Sequence, residues 1–528
     1  MVKKQHTIKS QRQTFKPWQI YTCAAVVAVG ISIALQESSS TTTTSRSNID
    51  LMNQCTMVMA NSSIPNSGWG MFTLVSLPRG ALASYGDPII QIPELEATYA
   101  QDVSHFLHRY AWSGEMTGGL SEGKIVYTAL PGVGSLANGH PTMWNLAPGV
   151  PQQDQGGLHR SKSPGAGSIS HYHNFSFYIQ YRVKAGQEIL VNYGTGWTDK
   201  ISSQEQTASL PEDFLRQEGI CLDNIRPGQS AIPNAGRGAF ATRDIKKSSI
   251  IAPAPLMPIM SRQAMKSKKG KNQLLLNYLF GHKNSSLLFF PYSPIVNLIN
   301  HASKANVALR WSDSSLHYGR HLLKTSVEAF KMSDPSGLLL EFVALRDITE
   351  GEEILLDYGK DWTDAWTEHE EQWHPPESAS SYIYPYSMEV SDFILRTPIE
   401  RETNPYPWNI ETSCQYKYSD NHGESNPRWS YKPEVMEPRH LRPCEVVARN
   451  DDTMDYSVRM FNPNSLNQLA EDEAIPDTEV HIVTHVPRRA IRFTDRTYSS
   501  DQHLTEAFRH EIAMPDTIFP TVWHDLTN

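Results

Sequence analysis

One short passage of this chain is written twice. Residues 350–364 read EGEEILLDYGKDWTD, and residues 184–199 read KAGQEILVNYGTGWTD. Both carry a Gly turn, a Glu-Ile-Leu core, a Tyr-Gly pair and a Trp-Thr-Asp end. Two further matches precede them in the same order. SIPNSGWGMFT at 63–73 matches AIPNAGRGAFA at 231–241, and ALPGVGSLANGH at 129–140 matches FFPYSPIVNLINH at 289–301. Three ordered matches at a nearly constant offset predict a duplicated unit, and a period this long means paired domains rather than a solenoid. The copies are placed at 61–200 and 231–366, with a linker at 201–230.

Within each copy the pattern is mostly short strands with minor α-helix. GAFATRDI and SSIIAPAPLM predict a strand pair, as do LLLEFVALRDI and GEEILLDYG about a Thr-Glu-Gly turn. The 34 Pro and 31 Gly among 528 residues agree with many turns and argue against helical bundles. Helices are expected within 91–110, over 261–279, and at 210–220 ending near Gly219. Residues 367–431, rich in Pro, Ser, Tyr and Trp, predict an irregular connector. Residues 432–528 predict a small β-rich module closed by a C-terminal helix over SDQHLTEAFRHEI.

The N-terminus has the layout of a targeting signal. A basic tail at 1–18, with Lys3, Lys4, Lys9, Arg12 and Lys16, precedes an uncharged apolar run from Ile20 to Leu35. A Ser/Thr-rich linker follows at 37–60. This is the pattern of a signal anchor or signal peptide at 19–36, and the lack of an A-x-A site favours an uncleaved anchor. The expectation is a single-pass membrane protein whose C-terminal part is luminal or extracellular, or a secretory protein if the signal is cleaved. Sequons at Asn61, Asn174 and Asn284 are compatible with that route. Four of the five cysteines lie beyond the apolar run and allow three pairings, among which the sequence does not choose. A net charge of −9 argues against direct nucleic-acid binding. Without a C-x-x-C pair, a cysteine-built zinc site is not expected. His159, His171 and His173 fall close together, but no acidic or cysteine partner is fixed near them, and no metal is assigned.

The later copy resembles a SET domain, the β-clip fold of protein-lysine methyltransferases. GRGAFATRDI (236–245) is similar to the family's Gly-x-Gly segment, NLINHASKANV (297–307) to its Asn-His motif, and EGEEILLDYG (350–359) to its Glu-rich Asp-Tyr motif. The resemblance implies S-adenosylmethionine as cofactor. It implies that Asn300 and His301 bind the adenine end, and that Gly236, Arg237, Gly238 and Ala239 line the methionine end through their backbone. Asn306 would close a knot-like crossing, and Tyr358 would serve as the catalytic hydroxyl and also contact the cofactor. Trp362 and Trp366 are candidate channel walls. The chemistry suits these residue types. Methyl transfer to lysine needs an aligned, deprotonated amine, and an apolar channel favours the neutral form.

The chain departs from the family pattern in two places. Ala302-Ser303 and Ala305-Asn306 stand where the family has Ser-Cys and Pro-Asn. The earlier copy resembles the family more weakly. Its Asn138-Gly139-His140 has an extra residue, Trp69 stands for Arg237, and Asn192 stands for Asp357, although Tyr193 remains. Two functions therefore compete. One is a lysine methyltransferase with its site in the second copy, acting on a protein substrate. The other is a membrane-anchored, catalytically inactive scaffold that binds protein partners.

Overall fold

The computed structural model describes residues 51–526 except 84–85, 93–109, 114–126, 150–151, 194–207, 267–271, 334, 392, 420–428, 432–440, 462–479 and 497–498. The basic tail and apolar run lie outside the described residues. So do most of the helix expected in 91–110 and the Trp-Thr-Asp end of the earlier repeat. Among the described residues, no helix is long and apolar enough to cross a membrane.

The second unit is built on a twisted sheet whose long central strand, Ile250–Ile259, is buried along nearly its whole length. It pairs with Leu339–Ala344 through its first half and with Leu288–Pro291 through its second. Burial on both faces explains its near-continuous apolar sequence. Toward the opposite edge, Glu353–Leu356 lies between Arg237–Ala241, antiparallel, and the short strand Asn300–His301, parallel. The chain then curls back, and Val307 pairs with Leu356. Asn306 locks this crossing. Its Oδ1 accepts from Leu355 N–H at 2.7 Å, its Nδ2 donates to Glu353 O at 2.7 Å, and its own N–H donates to Leu355 O at 3.0 Å.

The first unit shows the same local arrangement. Glu188–Val191 lies antiparallel to Trp69–Thr73 and parallel to Asn138–Gly139 and Leu146–Pro148. Asn145 makes the three bonds of Asn306, to Leu190 N–H, Glu188 O and Leu190 O. The largest hydrophobic core runs through both units, joining Ile89, Ile90 and Phe177 to Met257, Leu279 and Phe290. The units are thus halves of one packed body.

Several expectations need correction. Among the described residues of 261–279 there are two 3-10 turns, Arg262–Met265 and Leu274–Tyr278, and no α-helix. Leu274, Leu275, Leu276 and Tyr278 are all buried, so the second of these turns has no solvent face for an amphipathic helix to show. The connector is more regular than expected. It holds helices Lys360–Gln372, Pro385–Ser391 and Pro398–Thr403, the last started by a Thr397–Glu400 capping box. The C-terminal sheet begins at Ile410, because Ile410–Gln415 is one of its inner strands. The C-terminal helix is absent: after the 3-10 turn Asp501–His503 the chain goes through a second turn at 505–507 and then the short strand Ile512–Ala513. Its apolar residues serve separate places. Phe508 packs on Trp362 and Trp366, Ile512–Ala513 pairs with Phe280–Gly281, and Trp523 is fully buried in the second unit's core. The helix at 212–218 capped by Gly219 is as expected. The pairing left open by the sequence is Cys55–Cys221 and Cys414–Cys444.

Candidate functional site

The turn before Arg237 is made by Asn234 and Gly236, at φ 62° and 71°, conformations that favour Asn and Gly. Beside it stands Glu353. Its carboxylate accepts from Ser230 Oγ at 2.7 Å, Ala231 N–H at 3.1 Å and Asn300 Nδ2 at 3.2 Å. Asn300 Nδ2 also donates to Arg237 O at 2.7 Å. A Cβ on Gly238 would stand 2.2 Å from Glu353 Oε1, so glycine is required there for the carboxylate. The sequence alone leaves this hub among strand charges. The signal that could have found it is its repetition: Glu188 and Glu353 occupy the same place in the two matching passages.

Asn300 leads into His301, whose Nδ1 accepts from Tyr358 N–H at 3.0 Å. The ring proton therefore sits on Nε2, 3.3 Å from Thr363 Oγ1, which itself donates to Gly359 O. Burial holds the His301 pKa below its usual value against the opposing pull of Asp357, so the ring is neutral at pH 7. The ring lies beside Tyr358 and Trp362, with centroids 5.5 and 4.8 Å away. Tyr358 Oη donates to Ile299 O. Burial raises its pKa, so it stays a phenol and its lone pairs are what it can offer a ligand.

Asn300, His301 and Tyr358 line one cleft with about 980 Å³ of empty space, counting the part open to solvent. Trp362 and Trp366, one helical turn apart, stack 5.8 Å from each other and form part of its wall. Among the contributors not legible in the sequence are Tyr278, Phe508 from the C-terminal return, and Ser168–Ile169 from the first unit. Tyr278 Oη accepts from Ser170 N–H at 2.7 Å.

The Gly-x-Gly residues are not among those that line this cleft. The cleft is lined by the turn Ile232–Ala235, not by Gly236, Arg237, Gly238 or Ala239. The reason is packing. A Cβ on Gly236 would meet Ile169 Cδ1 at 2.5 Å, and the Gly238 face is filled by Glu353. Ala239 is fully buried in the core. Arg237 points into the first unit, donating to Asp154 Oδ2 at 3.1 Å and Ser170 O at 2.9 Å.

Among the described residues, the corresponding place in the first unit is filled. Glu188 accepts from Ser62 Oγ, Ser63 N–H and Asn138 Nδ2, Asn138 donates to Trp69 O, and Tyr193 Oη donates to Ala137 O. Gly139, however, takes the ladder position of His301. A Cβ there would lie 2.4 Å from the Tyr193 ring, so that ring fills the space of the missing imidazole. Trp112 packs edge-on against it at 5.8 Å.

His159 and His171 have different neighbours. His159 is engaged by Ser161 and Tyr382 O. His171 is buried and pushed down to about 3, by burial first and then by His503, Arg160 and Arg237. The side chain of His173 lies outside the described residues. Among the described residues, the cluster with ligand-like spacing is Cys55, Cys221 and Asp223, whose sulfurs form a disulfide.

Comparison with known proteins agrees with the second unit. Residues 236–359 match the family model of the SET domain. No curated protein matches the chain. Among solved structures, a Plasmodium falciparum protein assigned as a histone methyltransferase is 23% identical, with 26% of this chain and 96% of that one covered at a TM-score of 0.18. The Chaetomium thermophilum polycomb repressive complex 2 is 17% identical, with 29% of this chain and 17% of that one covered at a TM-score of 0.19. A ctPRC2 structure bound to S-adenosylmethionine is also 17% identical, with 31% and 19% covered at 0.19. The chain thus spans under a fifth of these polycomb chains. The family model, not these likenesses, carries the assignment of 236–359.

Proposed function

We propose that the second unit is a S-adenosylmethionine-dependent protein-lysine methyltransferase site, and that the first unit is a degenerate copy of the same domain kept for structure. The observation that carries the reading is the meeting of Asn300, His301 and Tyr358 at one aromatic-walled cleft. When bound, the cofactor supplies an electrophilic methyl on a sulfonium. The chain's own residues do the rest. Neutral His301 and the Asn300–Glu353 hub hold the strand that would face the adenine end. The aromatic walls exclude water and favour a neutral amine. Tyr358, with its proton directed at Ile299 O, presents lone pairs that orient that amine's N–H bonds.

The same reading takes residues 19–36 as a membrane anchor. Its support is the basic flank before the apolar run, together with two disulfides, which form in oxidising compartments. The scaffold alternative draws on the filled place in the first unit and on Ala302-Ser303 beside the second. Incubation of the full chain with methyl-labelled donor and a lysine-containing peptide library separates the two. The enzyme reading expects label on lysine that disappears in Asn300→Ala. The scaffold reading expects none from the wild type.

A further inference from the structure

Ile295 sits six residues before His301 and has φ 66°. Left-handed backbone is costly for a β-branched residue, and it persists only where the surroundings over-determine it. Glycine would remove the strain, but the Ile295 side chain is 2% exposed and belongs to the second unit's core. Its backbone N–H donates at 2.9 Å to Oδ1 of Asp87, a residue of the first unit that is itself 1% exposed. The other oxygen of Asp87 faces Val133 N–H at 3.5 Å, and a Cβ on Gly132 would stand 2.3 Å from it. One carboxylate therefore meets the start of both short turns, Val133–Leu136 before Asn138 and Val296–Leu298 before Asn300.

From Ile295 to the cleft the chain has no slack. Leu298 N–H donates to Ile295 O, Ile299 N–H donates to Val296 O, and Ile299 O accepts the Tyr358 hydroxyl. Val296, Asn297 and Ile299 line the cleft, whereas Asp87 does not. We infer that Asp87 is a positioning residue for the second unit's site: across the junction it holds the strained turn that carries Ile299, Asn300 and His301. The first unit, filled at its own corresponding place, is then required by its neighbour. Calling that cleft a donor site rests on the methyltransferase reading; the hold on the turn does not.

The test uses the full chain with Asp87→Leu, which keeps the approximate shape without an acceptor, and Asp87→Asn, which keeps one acceptor oxygen. Hydrogen exchange is followed in peptides covering 294–301 and 339–344, and S-adenosylmethionine binding is followed by calorimetry. In Asp87→Leu, exchange at 294–301 should rise about tenfold or more with 339–344 unchanged, and donor affinity should fall by a similar factor. Asp87→Asn should recover both to within about threefold, because its oxygen still accepts from Ile295. Unchanged exchange at 294–301 in Asp87→Leu overturns the proposal, and so does an equal rise in both peptides with no recovery in Asp87→Asn. If Asp87→Leu does not fold, Asp87→Asn decides: a rise confined to 294–301 supports the proposal, and no rise or a uniform one overturns it. A wild type that binds no donor but shows the confined exchange pattern removes the methyltransferase reading and leaves the role of Asp87 standing.

Discussion

Replacing Tyr358 with phenylalanine is expected to lower methyl transfer about 100-fold or more while changing donor affinity less than about threefold. The phenylalanine ring keeps the packing against His301 and Trp362, so the wall of the cleft survives. What is lost is one oxygen: the donor to Ile299 O and the acceptor offered to an amine. The vacated carbonyl should cost about 1 kcal/mol of stability, visible as a small drop in thermal midpoint. Initial rates with labelled donor, calorimetry and thermal unfolding of the same preparation separate these effects. If donor binding falls in step with activity, Tyr358 is a packing residue and the mechanism given for it is wrong.

Arg160→Ala should be the most destabilising of the substitutions considered, by about 3–5 kcal/mol. Arg160 joins three parts of the chain. Its Nε donates to Asp501 Oδ1 at 2.6 Å, its Nη2 donates to Ser499 O at 2.8 Å, and its guanidinium lies 3.4 Å over the Tyr382 ring. The Arg160 and Asp501 side chains are 2% and 4% exposed. Removing the cation leaves a buried carboxylate without its counter-charge. Burial already raises the Asp501 pKa, and Arg160 opposes that shift. In the variant the pKa rises further, so the folded state binds a proton that the unfolded state releases. Stability is then lost as pH rises from the ordinary carboxylate range toward the raised value, more steeply than in the wild type. Denaturant unfolding at pH 5 and pH 8 tests the sign. Arg160→Lys should recover only part of the loss, because an ammonium cannot reproduce the guanidinium fork. A loss that is larger at pH 5 contradicts this account of the joint.

Much of the second unit was legible from its local sequence. Ile-Leu runs flanked by Gly turns formed strands but not the expected pairs: Arg237–Ala241 pairs with Glu353–Leu356, and Ile250–Ile259 with Leu339–Ala344. What stayed hidden depends on chain that is distant in sequence. HRSKSPGAGSISH at 159–171 is polar and Gly-rich, the composition of an exposed loop, yet Arg160, Ser170 and His171 are buried. The backbone groups of this strap find partners on Asn277, Tyr278, Arg237 and Arg509, which no local pattern announces. The glycines, too, answer to distant chain. A Gly-x-Gly signals close approach, but not of what: Gly236 admits Ile169 and Gly238 admits Glu353. The C-terminal return failed as a helix because Phe508, Ile512 and Trp523 are drawn onto the second unit. Tertiary packing overrode a helical periodicity that was real in the sequence.

The central claim is one donor site per chain, in the second unit. Calorimetric titration of the full chain with S-adenosylmethionine tests it most directly, beside Asn300→Ala and Asn138→Ala. The account predicts a single site that is lost in Asn300→Ala and kept in Asn138→Ala. An absence of heat from the wild type, or a stoichiometry of two, would contradict it.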